Sequence, residues 1–243
     1  TRLRAGIAVD RAEAERFIDA YRNTHVTDFV ICVTSRISTY PSKSRESLAD
    51  KYLKKTENGR PVDYTSGVAA PAYDIFVRRG IDLYAVWIER LRSAGITPWI
   101  SFRMNDCHCN ADETHWLLTD FYHENRHLRR VVHRPPDGYF DRCYDYGRAE
   151  IRDYQLAYIA KTLERYDPYG IELDWQRELA CFRPGGEHEG IAILTRFMGE
   201  VKRLAAAAAQ RRGHGIRIAA RVHADPGINL EWGFDPISWA RAG

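Results

Sequence analysis

The segment Gly-Ile-Glu-Leu-Asp-Trp-Gln-Arg (170–177) places acidic and amide side chains at alternate positions. If the segment is a strand, Glu172, Asp174 and Gln176 share one face, and carboxylates two residues apart are separated by roughly 6–7 Å. Such a pair could supply an acid and a base, or a nucleophile and a supporting group. Asp174 is nearer the strand's carboxyl end, so we predict that it acts as a nucleophile or as an electrostatic stabiliser and that a nearby arginine holds it ionised. Glu172 is predicted to support it by pairing with Arg103 or Arg221.

Polar side chains also lie at the ends of the other predicted strands. At matching positions these are Cys32, Thr34 and Arg36, then Ser101, Arg103 and Asn105 with Asp106 and His108 just beyond, and finally Arg221 and His223. The carboxyl ends of parallel strands in a barrel meet at one mouth. The predicted substrate-binding residues are therefore Arg36, Arg103, Asn105, Asp106, His108, Gln176, Arg177, Arg221 and His223. The alternative is a buried ring of ion pairs that fills the barrel, since buried polar groups need partners.

Metal and cofactor motifs are weak in this chain. His108 lies in Asp-Cys-His-Cys (106–109) and His115 follows, but this spacing matches no paired zinc-ligand pattern. Gly185-Gly186 lacks the surrounding residues of a phosphate-binding loop. We therefore predict neither a metal site nor a cofactor.

The elements that must position these residues alternate between strand and helix. The predicted strands are Leu3–Val9, Val26–Thr34, Ile96–Met104, Gly170–Trp175 and Ile216–His223, and the helices are Ala12–Tyr21, Ile81–Ala94, Arg148–Tyr166 and Ile191–Arg212. Two long insertions are predicted, a polar loop over Ser35–Ala72 and a segment over Asn105–Tyr146 with a short helix near Glu113–His123. Asp235-Pro236 is typical of a helix start, and Gly243 of its end.

Strand–helix alternation predicts a parallel sheet, either open and doubly wound or closed into a barrel. The fifth strand decides between them, because Ile216, Ile218, Ala220 and Val222 share one face while Arg221 and His223 share the other. Strands covered by helices on both faces would be apolar throughout. We therefore predict an α/β fold of the (β/α)8 TIM-barrel type. About the first five units are present, so residues 1–243 are predicted to be the N-terminal part of one barrel domain.

Composition excludes several function classes. A net charge of +3 without a basic stripe argues against a nucleic-acid partner, and there is no apolar run of the roughly 20 residues that cross a bilayer. The five cysteines are irregularly spaced, which favours a reducing compartment such as the cytoplasm. Arginine greatly outnumbers lysine, 30 to 6. That excess suits an anionic substrate, although genome composition, with Ala also abundant, is the favoured explanation.

The stretch Ala149–Trp175 (AEIRDYQLAYIAKTLERYDPYGIELDW) resembles the fourth unit of bacterial glycosyl-hydrolase-like barrels. In that family a helix beginning PEVRDY is followed by ERYDVDGI and a strand ending in acidic residues. Phe121–Arg130 (FYHENRHLRR) is similar to a family segment that contains residues like His-Pro-Glu-Trp. Arg36 and Arg103–Asp106 extend the resemblance. Relatives often have Asp-Asp-Tyr where this chain has Leu-Asp-Trp.

The resemblance implies a (β/α)8 barrel and a glycoside hydrolase acting on an oligo- or polysaccharide. It places Asp174 at the acidic position ending the fourth strand. Glycosidases usually take their two carboxylates from different strands, so the second is expected after Gly243. Two alternatives stay open: a barrel isomerase or aldolase using His223 or Glu172, and a sugar-binding barrel without catalysis.

Overall fold

The computed structural model of the protein describes residues 9–57 and 68–242. At its centre is a four-stranded parallel sheet. Numbered along the chain with the short strands β2 (Thr34–Ser35) and β3 (Ile37–Ser38), the four are β1 (Asp28–Cys32), β4 (Thr97–Arg103), β5 (Gly170–Asp174) and β6 (Arg217–Arg221). Their spatial order, β1-β4-β5-β6, follows the chain without reversal. The short strands β2 and β3 form a separate antiparallel pair.

Helices connect these strands. They are α1 (Arg11–Asp19), α2 (Leu48–Glu57), α3 (Ala69–Tyr73, continuing as a π-helical turn over Asp74–Arg78), α4 (Leu83–Ser93), α5 (Asp120–Glu124), α6 (Ala149–Arg165), α7 (Glu187–Arg212), α8 (Pro226–Glu231) and α9 (Pro236–Arg241). Asp10, Asp82, Asp225 and Asp235 each cap a helix by accepting a backbone N–H bond, which satisfies donors that a helix start leaves free. The last cap confirms the helix start predicted at Asp235-Pro236.

The two faces of the sheet differ in chemistry. One is apolar and buried in the main core, with Ile31, Ile100, Phe102, Ile171 and Leu173 no more than 3% exposed. The predicted outward residues of the last strand, Ile216, Ile218, Ala220 and Val222, pack against this same core. The other face carries the polar side chains at the strand ends. The predicted division between the faces is thus confirmed for Arg221 and the apolar residues, whereas His223 lies beyond the end of β6.

Most predicted elements agree with the structure to within a few residues. The second to fifth predicted strands correspond to β1, β4, β5 and β6, and the four predicted helices to α1, α4, α6 and α7. The last of these begins at Glu187, four residues before the predicted start. The first predicted strand, Leu3–Val9, lies outside the described residues except for Val9, and so does the stop predicted at Gly243.

The loop predicted over Ser35–Ala72 is wrong in its described part, which contains β3, α2 and the start of α3. Ser47 and Asp50 cap the start of α2. The Ser47 hydroxyl accepts the Asp50 N–H bond at 3.3 Å, and the Asp50 carboxylate accepts the Ser47 N–H bond at 2.8 Å. This reciprocal cap resembles the Ser/Thr-x-x-Glu/Gln capping box and stabilises the first turn.

The short helix predicted near Glu113–His123 is also displaced. Residues before it form turns instead, because the Asp112 carboxylate accepts bonds from both the N–H and the hydroxyl of Thr114. The helix α5 begins only after Thr119, whose hydroxyl caps Tyr122.

Closure of the sheet into a barrel stays a prediction.

Within residues 9–57 and 68–242, no helix combines the length and apolarity needed to cross a membrane.

Candidate active site

The register of the sheet aligns the polar residues into two rows. At the carboxyl ends of the strands, Arg103 on β4 lies beside Asp174 on β5, which lies beside Arg221 on β6. One step earlier, Ser101 lies beside Glu172. Side chains two residues apart on a strand share a face, so all five project from the same side of the sheet. The structure therefore brings both predicted carboxylates together with Arg103 and Arg221, two of the predicted substrate-binding residues.

Glu172 is fully engaged by its neighbours. Its Oε1 accepts a bond from the Ser101 hydroxyl at 2.8 Å, and Arg221 donates Nη2–H bonds to both carboxylate oxygens at 2.7 and 2.9 Å and an Nε–H bond at 3.2 Å. Such forked pairing fixes both partners in orientation. The Glu172 side chain is 14% exposed, whereas Arg221 is 52% exposed. Glu172 thus holds Arg221 in place, as the predicted supporting role requires.

Asp174 is the less engaged carboxylate. Its Oδ1 accepts the Arg177 backbone N–H bond at 3.1 Å and lies 3.9 Å from Arg221 Nε. All hydrogen bonding from the described residues falls on this oxygen, and Oδ2 is left for another ligand. Its side chain is 13% exposed. An oriented carboxylate with one unused oxygen is suited to meet a substrate.

Burial is the largest influence on Asp174 and raises its pKa above the ordinary value; Glu172 acts in the same direction. Arg221, the Arg177 N–H group and Arg103 act in the opposite direction without fully compensating. The expected arginine neighbours are present, but they do not produce a net lowering. Asp174 therefore binds a proton more readily than an exposed aspartate does.

Asp106 forms a second centre just beyond β4. Its Oδ2 accepts an Nη1–H bond from Arg103 at 2.8 Å, and its Oδ1 lies 2.5 Å from His108 Nδ1 and accepts the His108 N–H bond at 3.0 Å. Burial raises the pKa of Asp106, but the bonds from Arg103 and His108 outweigh it and the pKa is lowered. With the side chain only 1% exposed, Asp106 is an ionised anchor for both partners.

His108 links the two centres. Arg177 Nη2 lies 2.8 Å from His108 Nε2, and an arginine can only donate. Nε2 must therefore accept, which leaves the ring hydrogen on Nδ1, where the Asp106 carboxylate accepts it. The chain Asp106–His108–Arg177 ends at Asp174, which accepts the Arg177 backbone N–H bond. Asp106, His108 and Arg177 were not predicted to be connected; the Asp-x-His spacing after a strand was the available signal.

Other predicted site residues lie elsewhere. Arg36 has a left-handed backbone (φ 59°), and its guanidinium lies 4.4 Å from the centre of the Tyr122 ring. Asn105 is 2% exposed and donates to the Tyr144 and Ala180 carbonyls. The structure does not bring either one into the Asp174 row through a direct bond.

Gln176 and His223 lie on the loops that follow the strands. Gln176 is exposed, and its N–H group donates to the Arg221 carbonyl at 3.1 Å. The His223 Nδ1 atom accepts the Asp225 N–H bond at 3.0 Å, while Asn229 holds its backbone on both sides.

Two tryptophans have separate roles. Trp175 is fully buried against Tyr146, Phe197 and Phe234, so it packs in the core. Trp99 lies on the polar face near the amino ends of the strands, where its Nε1–H donates to Asp28 at 2.7 Å. It also covers Gly170.

Among the described residues, no group of three or more His, Cys, Asp or Glu side chains is arranged to hold a metal ion.

Comparison with known proteins shows a likeness at the level of the fold. No protein-family model matches the chain, and no curated protein matches it in sequence. Among solved structures it is similar to alpha-L-fucosidase isoenzyme 2 from Paenibacillus thiaminolyticus, with a TM-score of 0.50 and 13% identity. The match covers 91% of this chain and 31% of the fucosidase chain, so this chain spans about a third of that protein's length. At this identity the likeness concerns the fold alone.

Proposed function

We propose that the protein hydrolyses a glycosidic bond in an oligo- or polysaccharide, with Asp174 as an active-site carboxylate. The observation that carries the proposal is the environment of Asp174. It ends a parallel strand, is largely buried between two arginines, and keeps one carboxylate oxygen free of hydrogen bonds from the described residues. The fold likeness to a fucosidase supports the same class of reaction.

Glycoside cleavage passes through a transition state in which positive charge develops on the sugar ring. A carboxylate beside the ring stabilises that charge or attacks the ring carbon. In the proposal Asp174 has this role, and the Arg177 N–H bond at 3.1 Å to Oδ1 helps to fix the orientation of the carboxylate. Glu172 contributes indirectly, because it orients Arg221.

The proposal includes a (β/α)8 barrel of which residues 1–243 form the N-terminal part. In such barrels the active site lies at the carboxyl ends of the strands. That is the end at which Arg103, Asp174 and Arg221 are aligned. The second catalytic carboxylate is proposed to come from a later strand.

The same residues suggest how a sugar is held. Arg103 and Arg221 already pair with Asp106 and Glu172. Arg177, by contrast, is exposed and its guanidinium contacts a ring nitrogen instead of a carboxylate, so its positive charge is available to a substrate. We propose that Arg177 and His108 contact sugar hydroxyls or a sugar carboxylate. The engagement of Glu172 by Arg221 and Ser101 makes it a poor mobile base for an isomerase or aldolase.

The test is turnover by the full-length protein on a panel of aryl glycosides that includes an α-L-fucoside and a β-glucuronide. Release of the aryl alcohol from at least one member, at a rate proportional to enzyme, is the expected result. Calorimetric binding of sugars without turnover of any aryl or natural glycoside would contradict the proposal and favour a non-catalytic sugar-binding barrel.

A further inference from the structure

We propose that Cys107 and Cys143 form an oxidisable pair that closes an intramolecular disulfide next to the candidate site. Their Sγ atoms are 3.0 Å apart in the reduced protein. A disulfide bond is about 2.05 Å long, so the two sulfurs need to approach by only about 1 Å. The bond would tether the segment after β4, which carries Asp106 and His108, to the segment that precedes α6.

Two asparagine side chains already hold the two segments together on both sides of the sulfur pair. On one side, the Asn105 amide donates to the Tyr144 carbonyl at 3.1 Å and accepts the Tyr144 N–H bond at 3.2 Å. On the other, the Asn110 amide donates to the Tyr139 carbonyl at 2.9 Å. Cys107 and Cys143 lie between these anchors, which already hold the two sulfurs in contact.

The remaining cysteines have other surroundings. Cys32 is exposed on the sheet, and its thiol faces the Thr34 carbonyl. Cys181 is buried, with its sulfur between the Asn105 amide and the Glu178 carbonyl, at 3.7 Å from each. Cys109 has a left-handed backbone (φ 65°) and is partly buried. None of these sulfurs has the contact with another sulfur that joins Cys107 to Cys143.

The reaction requires an oxidant, for which we propose a small disulfide of the oxidised-glutathione class. One cysteine thiolate attacks that disulfide, forms a mixed disulfide and releases one small thiolate. The second cysteine then attacks the protein sulfur, and the second small thiolate leaves. In all, the two cysteines lose two electrons and two protons, and one small disulfide becomes two thiols.

Burial controls when this occurs. Both cysteines are 1% exposed. The hydrogen bond with Cys143, followed by burial, raises the pKa of Cys107, which suppresses the reactive thiolate while the segments are closed. Oxidation therefore requires the segments to open, and the closed protein then shields the finished bond from reductants. Closing a loop of this length is expected to raise the Tm by roughly 8–15 °C, from the loop-entropy model and the size dependence of Tm.

The experiment is a time course with oxidised glutathione, with and without sub-denaturing urea, followed by alkylation and tryptic mapping without reduction. Tryptic cleavage produces the peptide 143–148, in which Cys143 is the one cysteine, and the peptide 104–126, which contains both Cys107 and Cys109. A Cys109→Ala variant therefore makes a link between these peptides specific for Cys107. The expected result is this link as the main intramolecular cross-link, formed faster in urea, with a raised Tm.

Matched variants separate this bond from general oxidation. Cys143→Ala should lose both the link and the Tm increase, whereas Cys32→Ala should keep both. Mixed-disulfide formation at exposed Cys32 shows that the oxidant is active. If Cys32 reacts while residues 143–148 remain fully alkylated in both conditions, the proposal is wrong. A main cross-link through Cys181 or Cys32 would also overturn it.

Discussion

Replacing Asp106 by Asn is expected to destabilise the fold in a pH-dependent way. The substitution keeps the shape of the side chain but removes the charge that faces the Arg103 guanidinium at 2.8 Å and the His108 ring at 2.5 Å. Breaking a buried ion pair typically costs about 3–5 kcal/mol. Arg103 is 28% exposed and His108 38% exposed, so water replaces part of what they lose. We therefore expect a loss of about 2–4 kcal/mol at pH 7, which lowers the Tm by roughly 4–16 °C.

The pH dependence follows from the lowered pKa of Asp106. A carboxylate whose pKa is lower in the folded state stabilises the fold at pH values above its unfolded pKa of about 3.9. That contribution is lost as the pH falls through this value towards the folded pKa. The difference in unfolding free energy between the wild type and Asp106→Asn should therefore be largest near neutral pH and shrink below about pH 4.

The assay is urea unfolding at several pH values between 3 and 7, monitored by tryptophan fluorescence. Asp153→Asn, on the exposed surface of α6, is the matched control and should change stability by less than about 0.5 kcal/mol at every pH. A difference for Asp106→Asn that is equally large at pH 3 and pH 7, or no larger than the control, would refute this account of Asp106.

Two further predictions concern Arg221, which lies beside Asp174, and Gly170, which lies under the Trp99 ring. Arg221 opposes the rise in the pKa of Asp174, so an ionised Asp174 is harder to form without it. Arg221→Met should therefore lower kcat/KM by about 10–100-fold and move the acid limb of the pH profile of kcat/KM to higher pH. An acid limb at the wild-type pH would contradict the coupling between Arg221 and Asp174. A Cβ at Gly170 would lie 2.2 Å from the Trp99 ring, so Gly170→Ala should cost about 1–3 kcal/mol in thermal or urea unfolding. Gly199→Ala is the control, because a Cβ at this helical position has no neighbouring atom within 4 Å. It should be neutral or stabilise the fold by up to about 1 kcal/mol. Equal effects on stability at both glycines would contradict the clash with Trp99.

Local patterns carried most of the fold prediction. Alternation in β6 separated Arg221 from its apolar neighbours because strand geometry alone decides the face on which a side chain lies. The same rule aligned Glu172 with Asp174. Even the missed helix α2 had a local signal, since Ser47 and Asp50 have the spacing of a reciprocal cap.

The remainder depended on contacts between segments distant in the chain. Arg36 lies in the bend between β2 and β3 rather than on a strand, and a left-handed backbone and the Tyr122 ring determine where its guanidinium lies. Asn105 follows β4 as predicted, yet its amide is used by Tyr144 and Ala180. The sulfur contact between Cys107 and Cys143 likewise depends on how two irregular segments meet, and irregular segments lack the periodicity that makes strands and helices predictable.

The most direct test of the central claim is the activity of Asp174→Asn in the full-length protein, measured on a glycoside that the wild type hydrolyses. The substitution preserves shape and removes the charge proposed to stabilise the transition state. We predict that kcat falls by a factor of about 10³ or more, on the order of 4 kcal/mol of barrier, with a Tm close to that of the wild type and of Asp153→Asn. Undiminished turnover in a folded Asp174→Asn variant would contradict the catalytic role, and so would a loss of activity that merely follows a loss of fold.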